Sequence, residues 1–345
     1  METLESVMKK PIRVVFFHRK PRGQNFSVEI LFEQIRKNLP SYIKPIISTA
    51  SHTSNGFWKR FYMAAEAAFR QKSGDINHIT GDVNFIGFFF KKKKTILTIL
   101  DVGFMNHPNQ IARRFLRFFW IILPVKRAAV ITTISQATKD ELLKYVTCDP
   151  NKIKVVYVPV SEKFTKAPCK AFNKDCPVLL QIGSKANKNV AGLIEAVRGI
   201  NCHLDIVGGL SEELHNKLKE YGIKHSLSSQ ISEDQILTKY QQCDIVTFMS
   251  TYEGFGMPIV EANIIGKPVV TSNILSMPEV AGNAAHLVDP FDIEDMKNGI
   301  LKVIAEDTYR EQLIENGYEN AKKFAVEKIV KDYCEVYEEI SNRSN

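Results

Sequence analysis

No GxGxxG follows the first predicted strand, so the glycine string that brings a dehydrogenase backbone against a pyrophosphate is missing. Cysteine and histidine never gather at metal-ligand spacing. The six cysteines (Cys148, Cys169, Cys176, Cys202, Cys243 and Cys334) are scattered, and the seven-residue step from Cys169 to Cys176 fits no common zinc pattern. They are expected to be reduced structural thiols. Long apolar runs are absent too: residues 115–125 form the longest, and Arg117 interrupts it, leaving too little to span a bilayer. The first residues lack the basic, apolar and small-residue order of a signal peptide. A cytoplasmic location is expected, with peripheral attachment at the inner face of the cell membrane as an option. No solenoid-type repeat occurs, and the only low-complexity run is the lysine tetrad at 91–94.

What is present fits a globular protein of 345 residues, 44% hydrophobic and 24% charged, long enough for two domains. The net charge of +8 is unevenly spread. Residues 1–162 hold 26 Lys and Arg against 12 Asp and Glu, a balance of +14, whereas the remainder holds 20 against 26, a balance of −6. A basic half suggests an anionic partner there, with phospholipid, a lipid-diphosphate acceptor and nucleic acid as the candidates.

Short apolar runs alternate with helical stretches, the pattern of βαβ units around parallel sheets. In the first half the spacing predicts strands at 13–17, 94–100, 128–133 and 154–158, and helices at 28–38 and 136–144. Ser27 is placed to cap the first helix, whose Ile30, Leu31, Ile35 and Leu39 share a face. Residues 159–177, with three prolines and no periodicity, read as a linker. The second half predicts strands at 178–183, 203–208, 244–249, 268–271 and 285–288. Its helices are predicted at 190–199, 212–221, 234–242, 258–265, 293–305, 309–323 and 326–340. The fold class is α/β, two Rossmann-like domains, and such sheets hold ligands at the carboxyl ends of their strands.

One stretch carries the chemistry. STYEGFGMPIVE, residues 250–261, follows a predicted strand and opens a helix with Pro258 in its first turn. Gly254 and Gly256 allow close backbone approach, and the helix start offers unpaired N–H groups and a positive dipole end, so a phosphate fits there. Glu253 stands in the loop and Glu261 about one turn into the helix, where carboxylates can accept hydrogen bonds from sugar hydroxyls. An isolated G-x-G would read as mere packing; the whole strand–loop–helix string favours a site.

EGFGMPIVEA, with GKPVVTSN and SMPEVAGNAAHLVDP after it, resembles the donor-site signature of family 4 retaining glycosyltransferases of the GT-B fold, including the spacing from Glu253 to Glu261. The resemblance extends upstream through LQIGSKANKNVAGLIEAV, LDIVGG and DIVTFMS. In the first half, GDINHITGDVN, TILTILDVGF and ITTISQATKDELL resemble members that assemble bacterial polysaccharides. It implies two domains facing across a cleft: 1–162 for the acceptor, 163–325 for a nucleotide-sugar, and a terminal helix at 326–345 returning to the first. By the same resemblance Glu253 binds hydroxyls of the transferred sugar, Gly254, Phe255 and Gly256 hold sugar and diphosphate, and Glu261 grips the ribose. Lys188 neutralises the leaving diphosphate, which is chemically apt because charge builds on the β-phosphate as the glycosidic bond breaks. Glu253 and Lys188 are thus the implied catalytic pair, while Gly183, Ser184 and Met257 complete the donor set. The base falls to backbone near Gln230 and Ile231. No cofactor and no metal are implied, and no Asp-x-Asp occurs in the chain. Retention of anomeric configuration is the family expectation.

Several positions depart from the pattern. Leu100 precedes Asp101 where relatives carry histidine, and Asn84 also stands where relatives often carry histidine. Asn187 and Ser184 replace arginines, and Val158-Pro159 replaces a familiar P-N. Asp101 and Asn84 remain candidate first-domain contacts, with His107 a substitute for the lost histidine. In the basic half, 91–94 and RRFLRFFW (113–120) mix cations with aromatics. That stretch reads equally as an anionic-membrane surface or as the core face of a helix. No nucleic-acid motif accompanies it, so nucleic acid is not the expected partner. The reading is a glycosyltransferase moving sugar from a UDP- or GDP-sugar to a glycan or lipid-linked glycan. The alternative is a catalytically impaired homologue acting as a binding or scaffold subunit.

Overall fold

The computed structural model describes residues 10–20, 27–52, 57–71, 75–81, 83–168 and 170–343. Residues 21–26, the side chain of Ser27 and Cys169 lie outside the described residues. The chain divides into two compact units, Met1–Pro159 with Ala325–Asn345, and Val160–Phe324. Each is α/β, built on one parallel six-stranded sheet.

In the first unit the strands are β1 (Ile12–His18), β2 (Ile43–Thr49), β3 (Ile76–Thr80), β4 (Thr95–Ile99), β5 (Val130–Thr133) and β6 (Ile153–Val155), in the order β2-β1-β3-β4-β5-β6. Helices α1 (Ser27–Lys37), α2 (Phe57–Arg70), α3 (Gln110–Leu116), α4 (Leu123–Arg127) and α5 (Gln136–Tyr145) connect them, with a π-helical turn at Arg117–Ile122 between α3 and α4. Val15, Phe17, Ile79, Leu97, Ile99 and Ile131 point into one continuous core. β2, β3 and α2 are additions to the sequence expectation. β2 carries Pro45 and lies at a sheet edge, where a missing N–H costs least. β3 is wholly buried yet includes Asn77, His78 and Thr80, which broke its apolar signature.

His78 is tolerated in that core because both ring nitrogens are engaged, Nδ1 with the Tyr337 hydroxyl at 2.9 Å and Nε2 with Thr98 Oγ1 at 2.7 Å. Burial holds its pKa down at about 3. Tyr337 belongs to the terminal helix, α13 (Val326–Asn342), which packs on α1, β1 and β3; Tyr42 also donates to Glu338 at 2.7 Å.

The second unit has strands β7 (Val178–Ile182), β8 (His203–Val207), β9 (Lys224–Ser228), β10 (Ile245–Phe248), β11 (Val269–Ser272) and β12 (His286–Val288), ordered β12-β11-β10-β7-β8-β9. Its helices are α6 (Val190–Ala196), α7 (Glu212–Glu220), α8 (Glu233–Gln242), α9 (Met257–Ile265), α10 (Ser276–Ala281), α11 (Ile293–Ala305) and α12 (Asp307–Ala321). The chain winds outward from β7 to β9, then returns to the other side of β7 with β10. Strand order therefore reverses between β7 and β10, and doubly wound sheets bind ligands outside the carboxyl ends at such a point. Among the described residues no helix is long and apolar enough to cross a membrane.

Candidate active site

Two loops leave the sheet where its strand order reverses, residues 183–189 after β7 and 249–256 after β10. The first is tied from below by Gln181, fully buried in β7, whose Nε2 donates to the carbonyls of Gly183 (3.2 Å) and Lys188 (3.4 Å). Ser184 Oγ donates to the Gly209 carbonyl at 2.6 Å, across a close approach that requires Gly208. That glycine has φ +148°, and a Cβ there would stand 2.3 Å from Ser184 Oγ and 3.0 Å from its backbone nitrogen. A single 3-10 turn, Ala186–Lys188, then aims Lys188 back over the sheet.

The second loop is bonded to the first. Thr251 N–H donates to the Asn187 carbonyl at 2.8 Å, and Asn187 Nδ2 donates to the Tyr252 carbonyl (2.9 Å) and to Glu253 Oε1 (3.1 Å). Lys188 Nζ reaches the same Glu253 oxygen at 2.6 Å and lies 4.6 Å from the centre of the Phe248 ring. The two charged side chains are only 18% and 17% exposed, so solvent screens their pairing incompletely. Asn187 thus stands beside the pair as a neutral donor.

Beyond Glu253 the chain turns through Gly256, at φ +122°, into α9 with Pro258 in its first turn. Ser276 Oγ lies 3.0 Å from the Glu253 carbonyl and 2.7 Å from that of Phe255, fixing the loop from the far side. The amino-terminal end of α9 therefore opens beside the Lys188–Glu253 pair, giving a positive dipole end next to an ammonium. One turn further, Glu261 Oε2 accepts from the buried Tyr240 hydroxyl at 2.6 Å. Burial raises the Glu261 pKa to about 7; Tyr240 and Lys188 oppose that shift, and the charge of Glu233 adds to it. Gln230, after β9, adopts a left-handed backbone (φ 56°).

Gly183, Ser184, Lys188, Glu253, Gly254, Phe255, Gly256, Met257 and Glu261 accordingly fall on two bonded loops and one helix start. The first-unit candidates lie within that unit's own loops. Asp101 accepts the Gly103 N–H at 2.9 Å, and Asn84 is buried, its Nδ2 donating to the Trp120 carbonyl at 3.3 Å. Leu100 packs against Gly81, where an added Cβ would meet its Cδ1 at 3.0 Å. His107 is exposed and accepts the Asn109 N–H at 3.1 Å. Sequence reasoning missed Gln181, Phe248, Tyr240 and Ser276. Gln181, Phe248 and Ser276 lie inside the stretches LQIGSK, DIVTFMS and SMPEV, whereas Tyr240 acts through a contact that no local pattern encodes.

Residues 163–320 match the family model described as "Glycosyl transferases group 1". An uncharacterized glycosyltransferase of Methanocaldococcus jannaschii is 32% identical over 165 residues, 45% of this chain and 46% of that relative, so the match spans about half of the relative's length. O-antigen chain mannosyltransferase B of Escherichia coli is 24% identical over 261 residues, 68% of each chain. Among solved structures, Anabaena HepE in complex with UDP and glucose superposes with a TM-score of 0.77 at 17% identity, covering 95% of this chain and 100% of that one. WaaG, a glycosyltransferase involved in lipopolysaccharide biosynthesis, gives 0.69 at 15%, covering 94% and 99%. At such identities these likenesses establish the fold, GT-B.

Proposed function

Since the chain carries a domain of the glycosyl transferases group 1 family on a GT-B fold, we propose that it transfers a sugar from a UDP- or GDP-sugar to a glycan or lipid-linked glycan, with retention and without a metal. The observation that carries this reading is the Lys188–Glu253 contact of 2.6 Å at the amino-terminal end of α9. A diphosphate seated at that helix end offers Lys188 a stronger anionic partner than one carboxylate. Drawn to it, the ammonium offsets charge on the departing β-phosphate, the part a metal plays elsewhere. Glu253 Oε1 is then released to accept a hydroxyl of the transferred sugar, with Asn187 Nδ2 keeping the carboxylate oriented. Glu261, held by Tyr240, accepts from the ribose. Attack from the face the nucleotide leaves gives retention with no enzyme nucleophile.

Names of the relatives set the panel: mannosyl donors from the O-antigen enzyme, UDP-glucose from the sugar and nucleotide seen with HepE. Nucleotide release from GDP-mannose, UDP-glucose and related donors is to be compared for wild type and Glu253→Ala. Release by the wild type well above the variant is the expected result. Equal release across the panel would instead support the silent binding subunit that Leu100 suggests, and would end the enzyme reading.

A further inference from the structure

β7 reads VLLQI, and its single polar residue, Gln181, is fully buried. The strand lies inside the second sheet, where Gln181 stands between Thr247 of β10 and Ile206 of β8. An apolar side chain is the default at such a position. Gln181 Nε2 donates to the carbonyls of Gly183 at 3.2 Å and Lys188 at 3.4 Å, whereas Oε1 is buried with no hydrogen-bond partner among the described residues. Both neighbours are acceptors, so only this orientation of the amide makes any bond. The two bonds are at the long end of the ordinary range, and an unmet buried oxygen offsets what they contribute. The fold therefore gains little stability from a glutamine here. What the amide supplies is geometry.

The two carbonyls it joins are the two ends of one loop. Residues 183–188 leave β7 and come back, and a single buried amide ties the start of that excursion to its finish. Closing the loop lays the Lys188 stem along Gly183. A Cβ on Gly183 would stand 3.0 Å from Lys188 Cε, 3.3 Å from Cγ and 3.4 Å from Cδ, and the φ of +86° there favours glycine as well. The outer end of the loop is fixed separately: Asn189, left-handed at φ 51°, donates from Nδ2 to the Pro290 carbonyl at 2.7 Å. With its backbone held on both sides, Lys188 brings its ammonium 2.6 Å from Glu253 Oε1 and 4.6 Å from the centre of the Phe248 ring. A free lysine loses much rotamer freedom when its amine must meet one anion, and a stem already set in place reduces that loss.

We infer that Gln181 is a positioning residue for Lys188, kept in the core to aim the ammonium rather than to stabilise the sheet. The inference rests on the glycosyltransferase reading, in which Lys188 meets the diphosphate. Gln181→Met keeps the volume and removes the amide. Its Tm should equal or exceed that of the wild type. Titrated with UDP and GDP, it should bind the preferred diphosphate about tenfold more weakly, with the matching nucleoside, uridine or guanosine, changed by less than about twofold. Gln181→Leu, a different apolar shape, should behave alike, which separates loss of the amide from a packing fault. The decisive measurement is a double-mutant cycle with Lys188→Ala. If Gln181 acts through the lysine, adding Gln181→Met to Lys188→Ala should weaken diphosphate binding by no more than about twofold further. A second tenfold loss in the double variant would overturn the inference, because the amide would then act on something other than Lys188. A Tm lowered by more than about 5 °C in both apolar variants would overturn it in favour of a residue that serves the fold. Unchanged diphosphate affinity in Gln181→Met, with Lys188→Ala impaired, would overturn the role of Gln181 and leave the phosphate role of Lys188 standing. No loss in either single variant would remove that phosphate role, and the inference with it.

Discussion

Replacing Lys188 by alanine separates phosphate binding from nucleoside binding. In the structure the ammonium pairs with Glu253 Oε1 at 2.6 Å and stacks on Phe248, with both charged side chains largely shielded. Two unit charges about 4 Å apart interact by about 4 kcal/mol at an effective dielectric near 20. That is the gross attraction for a phosphate, and it is reduced because the incoming diphosphate must displace an existing carboxylate partner. A charge-assisted contact typically nets about 1.5–3 kcal/mol, so the variant should bind the preferred nucleoside diphosphate about 10- to 150-fold more weakly. The corresponding nucleoside reaches Glu261 but no phosphate site, and its affinity should change less than about threefold. Calorimetric titration of both ligands into both proteins makes the comparison, with thermal unfolding as the control for folding. Equal losses for diphosphate and nucleoside would refute the phosphate role of Lys188, and a tighter diphosphate complex would refute the placement of the site.

Glu261 makes a signed pH prediction. Its folded pKa of about 7 lies above the ordinary 4.5, so the native state binds the extra proton and stability falls as pH rises through that window. Glu261→Gln should flatten the fall in Tm between pH 5 and pH 8; an unchanged slope would count against the raised pKa of this carboxylate. Because an ionised Glu261 accepts from ribose, nucleotide affinity should run the opposite way and weaken as pH drops below 7, measurable by titration at pH 6 and 8. Tyr240→Phe removes a hydrogen bond that favours the charged form, so the midpoint of that affinity profile should move up by about 1 unit or more. Gly208→Ala forces a Cβ against Ser184 in a left-handed backbone, and should cost about 1–3 kcal/mol in denaturant unfolding; a cost below about 0.5 kcal/mol would argue that the loop is slack.

Much of the second unit could be read directly from the sequence. Strands β7, β8, β10 and β11 are dense apolar runs, as expected of parallel strands covered on both faces, and Pro258 marks the start of α9. β9, KHSLS, was invisible for the same reason that β2 was: an edge strand has one neighbour and a wet face, and needs no apolar signature. β3 escaped for a different reason. Its His78 counts as polar in any window, and only Thr98 and Tyr337, the latter 259 residues away, make it a core residue.

The sequence by itself determined the identities at the candidate site, because phosphate and sugar recognition demand particular groups, glycines at a helix start, an ammonium and two carboxylates, and these are spelled out locally at 183–188 and 253–261. Which of those groups meet was decided only by tertiary structure. Lys188 and Glu253 are 65 residues apart and touch because the strand order reverses between β7 and β10, bringing two loops together at the carboxyl ends of adjacent central strands. The same holds for the titration of Glu261: a carboxylate acquires a pKa near 7 from the packing around it, and packing is a property of the folded chain.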